Sequence, residues 1–532
     1  MKKEQEENQA NQVDNSLKLI AKTSLIVFIG VIFSKVLAYV YRIIIARQFG
    51  PEVYGVFSLA IMIGGWFAAF SALGLSDGIS RYIPIYRGKK ETEKIRYIFR
   101  FSVIVLFISS IIAGIILFFA SDFIAVQFFK NAKLSFFLKI FAVIVPINVL
   151  AYPFLSALRA YEKINWYSFI FNIAQNFAKV LFLIILILVG LGSSSIAFSY
   201  LLGMAAMLVL AYFVCKYKLA EIFSKSNIEQ SEKKKIKKDL INYSIPLLFS
   251  GFISVLFYWI DSFSIGLFKG AFEVGIYNAA VPLAMALAVI PELFNQLFFP
   301  LITKEYSKDN LELIKTLSKQ VSKWVFIIVL PIFILLFLFP GAAINLLFGQ
   351  DYLPAINALR ILSIGALISA VFMVSSQLIS MIGKSRLVLF NIVLASAINF
   401  VLNMIFIPMQ KIWFIDNAIG INGAALATLI SVIVLNLLFV FEAKHYLKVI
   451  PLRRKMVNIF LLSIIPTALL LYFRTKFEMT LPLLVVLSGL FVIVYLALIV
   501  VSRSFDKNDW MIIKAIFLKA KSISQMKLNK AI

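Results

Sequence analysis

LIVFIGVIFSKVLAYVYRIIIA, from Leu25 to Ala46, carries only two charged side chains, Lys35 and Arg42. A helix needs roughly 20 apolar residues to cross a bilayer core about 30 Å thick, so this run reads as a membrane span. Runs of that length recur to the end of the chain, and dividing them by length gives about fourteen spans, the first at 21–46 and the last at 480–502. Composition agrees: the 532 residues are 61% hydrophobic and 15% charged, more apolar and less charged than soluble domains. The expected fold class is an all-α polytopic membrane protein.

The formal net charge is +26, which would fit a nucleic-acid partner if the basic residues were gathered on one folded face. They are distributed by topology instead. With an even span count and a cytoplasmic start, about 40 of the 52 basic residues fall in cytoplasmic tails and loops, about 7 outside and about 5 within spans. The positive-inside rule accounts for the charge, excludes nucleic acid as the reason for it, and assigns both termini to the cytoplasm of a multi-pass cell-membrane protein. The opening MKKEQEENQANQVDNSLKLI reads as an irregular cytoplasmic tail at 1–20, with no cleavage site after the apolar run that follows. A single cysteine, Cys215, and a single histidine, His445, permit neither a disulfide framework nor a Cys/His metal cluster. No cofactor is expected.

Gly50-PEVY-Gly55 is echoed 220 residues later by Gly270-AFEV-Gly275, and Phe171-Asn-Ile by Phe390-Asn-Ile. The echoes point to a duplicated six-helix unit. Because six is even, both copies enter the membrane from the same side, and the pseudo-twofold axis relating the two lobes should run along the membrane normal. The domain reading is a tail at 1–20, an N-terminal six-helix lobe at 21–215, a basic cytoplasmic linker at 216–240, a C-terminal six-helix lobe at 241–441, two appended helices at 442–502 and a basic cytoplasmic tail at 503–532. Prolines inside the spans, among them Pro282 and Pro331, each remove a backbone hydrogen bond and permit a kink.

KVLAYVYRIIIARQFGPEVYGVFSLA at Lys35–Ala60, LGLSDGISRYIP at Leu73–Pro84, LSALRAYEKINWYS at Leu155–Ser168 and IGINGAALAT at Ile419–Thr428 together resemble the multidrug/oligosaccharidyl-lipid/polysaccharide exporter superfamily, and within it the polysaccharide-type flippases of O-antigen units. The resemblance covers nearly the whole chain. It implies two lobes facing a central cavity, alternating access, and a polyprenyl or dolichyl pyrophosphate-linked oligosaccharide as cargo. Membrane lipids and glycan assembly enzymes are the further partners it suggests. The family offers no compact active-site motif, so site residues are sought from intramembrane polarity.

An ionisable group in hydrocarbon costs at least about 2.5 to 3.5 kcal/mol and normally faces protein or a wet cavity. Lys35, Tyr39 and Arg42 share one helical face, and a pyrophosphate leaving water needs such cations. Asn172, Gln175, Asn176 and Lys179 form a polar stripe on the fifth span, suited to a glycan or to bonding neighbouring helices. Lys139 and Arg360 lie near outer span ends and are expected to snorkel. Asp261, on a face with Tyr258 and Ser254, and Glu292, with Asn295 and Gln296, are candidates to couple transport to H⁺ or Na⁺, or to pair with a basic residue across the bundle. The chain lacks G-x-x-x-x-G-K-[ST], so no such ATP site competes as an energy source.

Two other functions bear weighing. A multidrug cation antiporter of the same superfamily would use acidic groups, whereas the interior charges of the first half, Lys35, Arg42, Lys139 and Lys179, are all positive. A membrane polymerase or ligase of glycan assembly would need a substantial outer loop for its catalytic groups, and the outer loops here are short. The chain therefore reads as a flippase or exporter and not as an enzyme.

Overall fold

The computed structural model describes residues 2–477 and 480–502, so the expected tail at 503–532 lies outside the described residues. The helices in chain order are α1 (Lys2–Ser71), α2 (Leu75–Gly88), α3 (Thr92–Phe123), α4 (Ala132–Ala160), α5 (Ile164–Ser168), α6 (Gln175–Leu188), α7 (Ser194–Lys218) and α8 (Gln230–Phe268). They continue as α9 (Ala271–Tyr306), α10 (Leu311–Leu338), α11 (Pro340–Leu347), α12 (Ile356–Met381), α13 (Ser385–Phe406), α14 (Ile421–Leu447), α15 (Arg454–Lys476) and α16 (Leu481–Val501). A π-turn at Phe169–Ala174 joins α5 to α6.

Thirteen helical stretches among the described residues are long and apolar enough to cross a membrane. The first, Ile32–Ser71, has 40 residues and would be about 60 Å long as one straight helix, twice the hydrocarbon thickness. It is not straight: Gly50 interrupts it at φ 75°, ψ 177°, a conformation open to glycine and strained for other residues. Two crossings result, which restores the fourteen expected spans. Gly270, the repeat partner of Gly50, likewise has a positive φ of 123° and separates α8 from α9.

Three boundaries differ from the sequence reading. The polar opening, expected as an irregular tail, is helical from Lys2. Part of the expected cytoplasmic loop after the second span is α2, an amphipathic helix that buries Leu75, Ile79 and Ile83 and continues through Pro84. The span expected at 323–347 starts earlier and breaks after Leu338, where Phe339 leaves helical geometry before Pro340 opens α11.

Packing groups the chain into two compact units. One contains residues up to Pro282 with Ile344–Ile361 and Val393–Ser431; the other contains Leu283–Ala343, Leu362–Ile392 and the chain from Val432. Within the first, the duplicated glycines meet. A Cβ on Gly55 would stand 1.6 Å from the Ala271 carbonyl oxygen, and one on Gly275 would stand 1.9 Å from the Pro51 carbonyl oxygen. Pro51 and Ala271 are themselves repeat partners, so the contact is reciprocal, as a twofold relation requires.

Two prolines leave carbonyls without their helical donors, which in hydrocarbon costs several kcal/mol per group. Tyrosines supply the missing bonds. In the first unit the Tyr54 hydroxyl donates to the Asn278 carbonyl (3.2 Å), four residues before Pro282. In the second, Tyr495 donates to the Ile327 carbonyl (3.1 Å), four residues before Pro331.

Candidate translocation site

The polar stripe of the fifth span faces protein. Asn172, Gln175, Asn176 and Lys179 are all buried. Asn176 Nδ2 donates to Ser34 Oγ (2.9 Å) and to the Asn172 carbonyl (3.1 Å), tying α6 to α1 beside Lys35. Asn172 donates to Ser168 Oγ (3.1 Å), and Gln175 donates to the Phe171 carbonyl (2.7 Å). Two of these amides are therefore engaged within their own helix and one bonds its neighbour. The buried Gln175 Oε1 accepts no hydrogen bond from the described residues.

Lys179 is 7% exposed. Its Nζ stands 4.3 Å from the centre of the Tyr200 ring on α7, and among the described residues no carboxylate pairs with it. Gly203 makes room for the aliphatic stem, since a Cβ there would lie 2.3 Å from Lys179 Cγ. The Arg42 charge is close enough to be felt at Lys179. Arg42 also interacts electrostatically with Tyr54. Tyr39 donates to the Pro282 carbonyl (3.0 Å). Lys35 is half-buried on the same helix. A cation–π contact returns about 2 kcal/mol or more when desolvated, against at least about 2.5 to 3.5 kcal/mol for a lysine at mid-membrane. Lys179 thus keeps a positive charge that no carboxylate among the described residues compensates.

Asp261 has a different setting from the one its own helix face suggested. Tyr258 is exposed, and Ser254 bonds back to Ser250. The partners of Asp261 come from other helices: Tyr277 on α9 donates to Oδ2 (2.6 Å), Thr428 on α14 donates to Oδ2 (2.5 Å), and Asn403 on α13 donates to Oδ1 (2.8 Å). Asn403 also bonds Asn399 (2.9 Å), which bonds Thr428 (3.0 Å). Among the described residues no basic side chain pairs with Asp261. The buried Asn403 Oδ1 accepts no hydrogen bond there. The carboxylate accepts from two hydroxyls and one amide N–H, and together with the unbonded Asn403 Oδ1 it has oxygen chemistry that suits a proton or Na⁺.

Glu292 is an exposed residue of α9 in the second unit. Lys139 pairs with Asp122 at 2.9 Å, and Ser135 bonds the same carboxylate. Arg360 is hydrogen-bonded to Asn357 (3.3 Å). Sequence reasoning missed Tyr54, Tyr200 and the Asn399, Asn403 and Thr428 shell. The i, i+4 spacing of Asn399 and Asn403 on an apolar helix was the signal that could have found the shell. Lys323 was also missed: it stands at the first residue of an expected span, where a basic residue reads as a flank, yet it is fully buried.

A bundle of membrane-crossing helices with a buried lysine and further cations in one cluster and a caged carboxylate in another defines a membrane transporter. The chain belongs to the polysaccharide biosynthesis protein family, whose model matches residues 20–305. A second model, MatE, matches residues 246–405. The chain is similar to the "Putative O-antigen transporter" of Shigella flexneri, 24% identical over 64% of this chain and 80% of that protein. It is also similar to the "Probable low-salt glycan biosynthesis flippase Agl15" of Haloferax volcanii, 23% identical over 77% of this chain and 81% of that protein. Among solved structures it matches the lipid II flippase MurJ in its inward closed conformation, with a TM-score of 0.71 at 16% identity, covering 90% of this chain and 99% of that one. That likeness establishes the shared all-helical fold.

Proposed function

We propose that this chain is a flippase that moves a lipid-linked oligosaccharide, carried on polyprenyl or dolichyl pyrophosphate, across the cytoplasmic membrane. The observation that carries the reading is Lys179: buried, held against Tyr200, near Arg42 and without a carboxylate partner among the described residues. In this reading Lys35, Arg42 and Lys179 receive the pyrophosphate, and Tyr39, Asn172, Gln175 and Asn176 line the path of the glycan. The names of the relatives support the same cargo class. Two six-helix lobes alternate in exposing the site, both termini are cytoplasmic, and glycan assembly enzymes act before and after the transport step.

Asp261 serves as the coupling group for H⁺ or Na⁺, with Asn403, Asn399 and Thr428 available as further oxygen ligands. Glu292 remains a second candidate on its own helix. The multidrug antiporter is the second reading, favoured by the MatE match over 246–405 and by Asp261; the interior cations of the first half, Lys179 above all, weigh against a cationic cargo. The test is flipping of a fluorescent polyprenyl-pyrophosphate glycan by the purified protein in liposomes. Flipping that persists at the wild-type rate in Lys179→Gln and Arg42→Ala variants, or transport of an organic cation in its place, would overturn the reading. Cysteines placed at Gln350 and Ser226 should react with an impermeant thiol reagent from opposite sides.

A further inference from the structure

Glu442, near the end of α14, is a buried carboxyl group with no part in the cargo and coupling sites above; it is 8% exposed. Its recorded partner is Asn391 on α13, which belongs to the same compact unit. Asn391 is buried and donates from Nδ2 to Oε1 of Glu442 (2.7 Å). The other carboxyl oxygen, Oε2, is buried and meets no hydrogen-bonding group of the described residues. Asn391 is the repeat partner of Asn172, through the Phe171-Asn-Ile and Phe390-Asn-Ile echo. Asn172 donates to Ser168, four residues before it. The residue four before Asn391 is Leu387, which offers no acceptor, and the second-half amide bonds a carboxyl group from the next helix instead.

An ionised Glu442 would need its charge met from the helices packed around this end of α14, which are α9, α10, α12 and α13 through Ile302, Ile314, Leu378 and Leu387. The titratable groups at this level are Lys304, Glu305 and Tyr306 on α9, Glu312, Lys315 and Lys319 on α10, and Lys384 and Arg386 at the start of α13. To these α14 and the loop after it add Lys444, His445, Tyr446 and Lys448, while α12 adds none. Glu305 holds Lys308 and Asn310, Lys315 holds Glu312, and Lys384 lies 4.0 Å from the centre of the Tyr446 ring. Among the described residues no basic side chain pairs with Glu442. One amide N–H does not compensate a carboxylate charge in a low-dielectric interior. The neutral acid fits better: its carbonyl oxygen accepts the Asn391 bond and its other oxygen holds the proton. An O–H without an acceptor costs less than a charge without a partner.

We propose that Glu442 and Asn391 form a proton-binding site, made of other residues than the Asp261 shell and loaded in this conformation. The test is the infrared spectrum of the purified full-length protein in detergent at neutral pH, where the C=O stretch of a protonated carboxyl stands apart from carboxylate bands. Glu442→Gln keeps the size and neutrality of the loaded site, so it should fold as the wild type does and lose one protonated-carboxyl band. The band that Glu442→Gln removes should remain in Asp261→Asn. In the wild type it should disappear reversibly at alkaline pH, as the site empties. A protonated-carboxyl region unchanged by Glu442→Gln means an ionised carboxylate met by water, and overturns the proposal. A Glu442→Gln chain that fails to fold overturns it too, because the amide reproduces the neutral acid and lacks only the charge.

Discussion

Replacing Lys179 by Met separates a binding role from a structural one. Met is close to the lysine stem in length, so it should occupy the same channel beside Gly203, whose missing side chain admits the stem. The charge it removes is worth at least about 2.5 to 3.5 kcal/mol of insertion cost, set against about 2 kcal/mol or more from Tyr200 at 4.3 Å. The variant should therefore be as stable as the wild type or more stable, by about 1 kcal/mol. Binding should move the other way. A unit charge about 4 Å from a phosphate oxygen contributes on the order of 4 kcal/mol at an effective dielectric of 20. If half of that is lost to desolvation, about 2 kcal/mol remains, roughly thirtyfold in Kd. The assay pairs thermal unfolding of the detergent-purified protein with titration of a fluorescent lipid-pyrophosphate glycan. A Lys179→Met variant that melts several degrees lower and binds with wild-type affinity would show that the lysine is structural.

Three further outcomes follow from particular contacts. Gly55→Ala and Gly275→Ala would each drive a Cβ into a backbone carbonyl oxygen, so both should lose most folded protein in gel filtration, whereas Gly65→Ala, whose Cβ would come no nearer than 4.0 Å to Val255, should be tolerated. Tyr54→Phe and Tyr495→Phe each leave a proline-freed carbonyl without its donor and should cost about 1 to 3 kcal/mol in chemical or thermal unfolding. Asp261→Asn should abolish the response of flipping to H⁺ and Na⁺ gradients while retaining glycan binding; an unaltered gradient response would remove Asp261 from coupling.

Spans were legible because a run of 20 apolar residues has few alternatives, and the break at Gly50 was legible because a Gly-Pro pair interrupts one. The stripe from Asn172 to Lys179 was legible as a face, since i, i+4 spacing survives the π-turn well enough to leave all four residues buried. Periodicity does not say what a face meets. Lys139 found Asp122, 17 residues earlier, across a helical hairpin. Asp261 drew its partners from α9, α13 and α14 and none from the residues above and below it on α8. The tyrosine bonds beneath Pro282 and Pro331 were hidden for the same reason: a proline announces a vacant carbonyl, but its donor lies 224 residues away in one case and 168 in the other.

The reciprocal fit of Gly55 and Gly275 has a consequence for ancestry and engineering. A contact made by equivalent surfaces is self-complementary, so each half of the duplication carries a face of the kind that could accept a second copy of itself. Fusion into one chain decides between these pairings by effective concentration. It also couples the two glycines in evolution, because neither can acquire a side chain while the opposing backbone remains where it is.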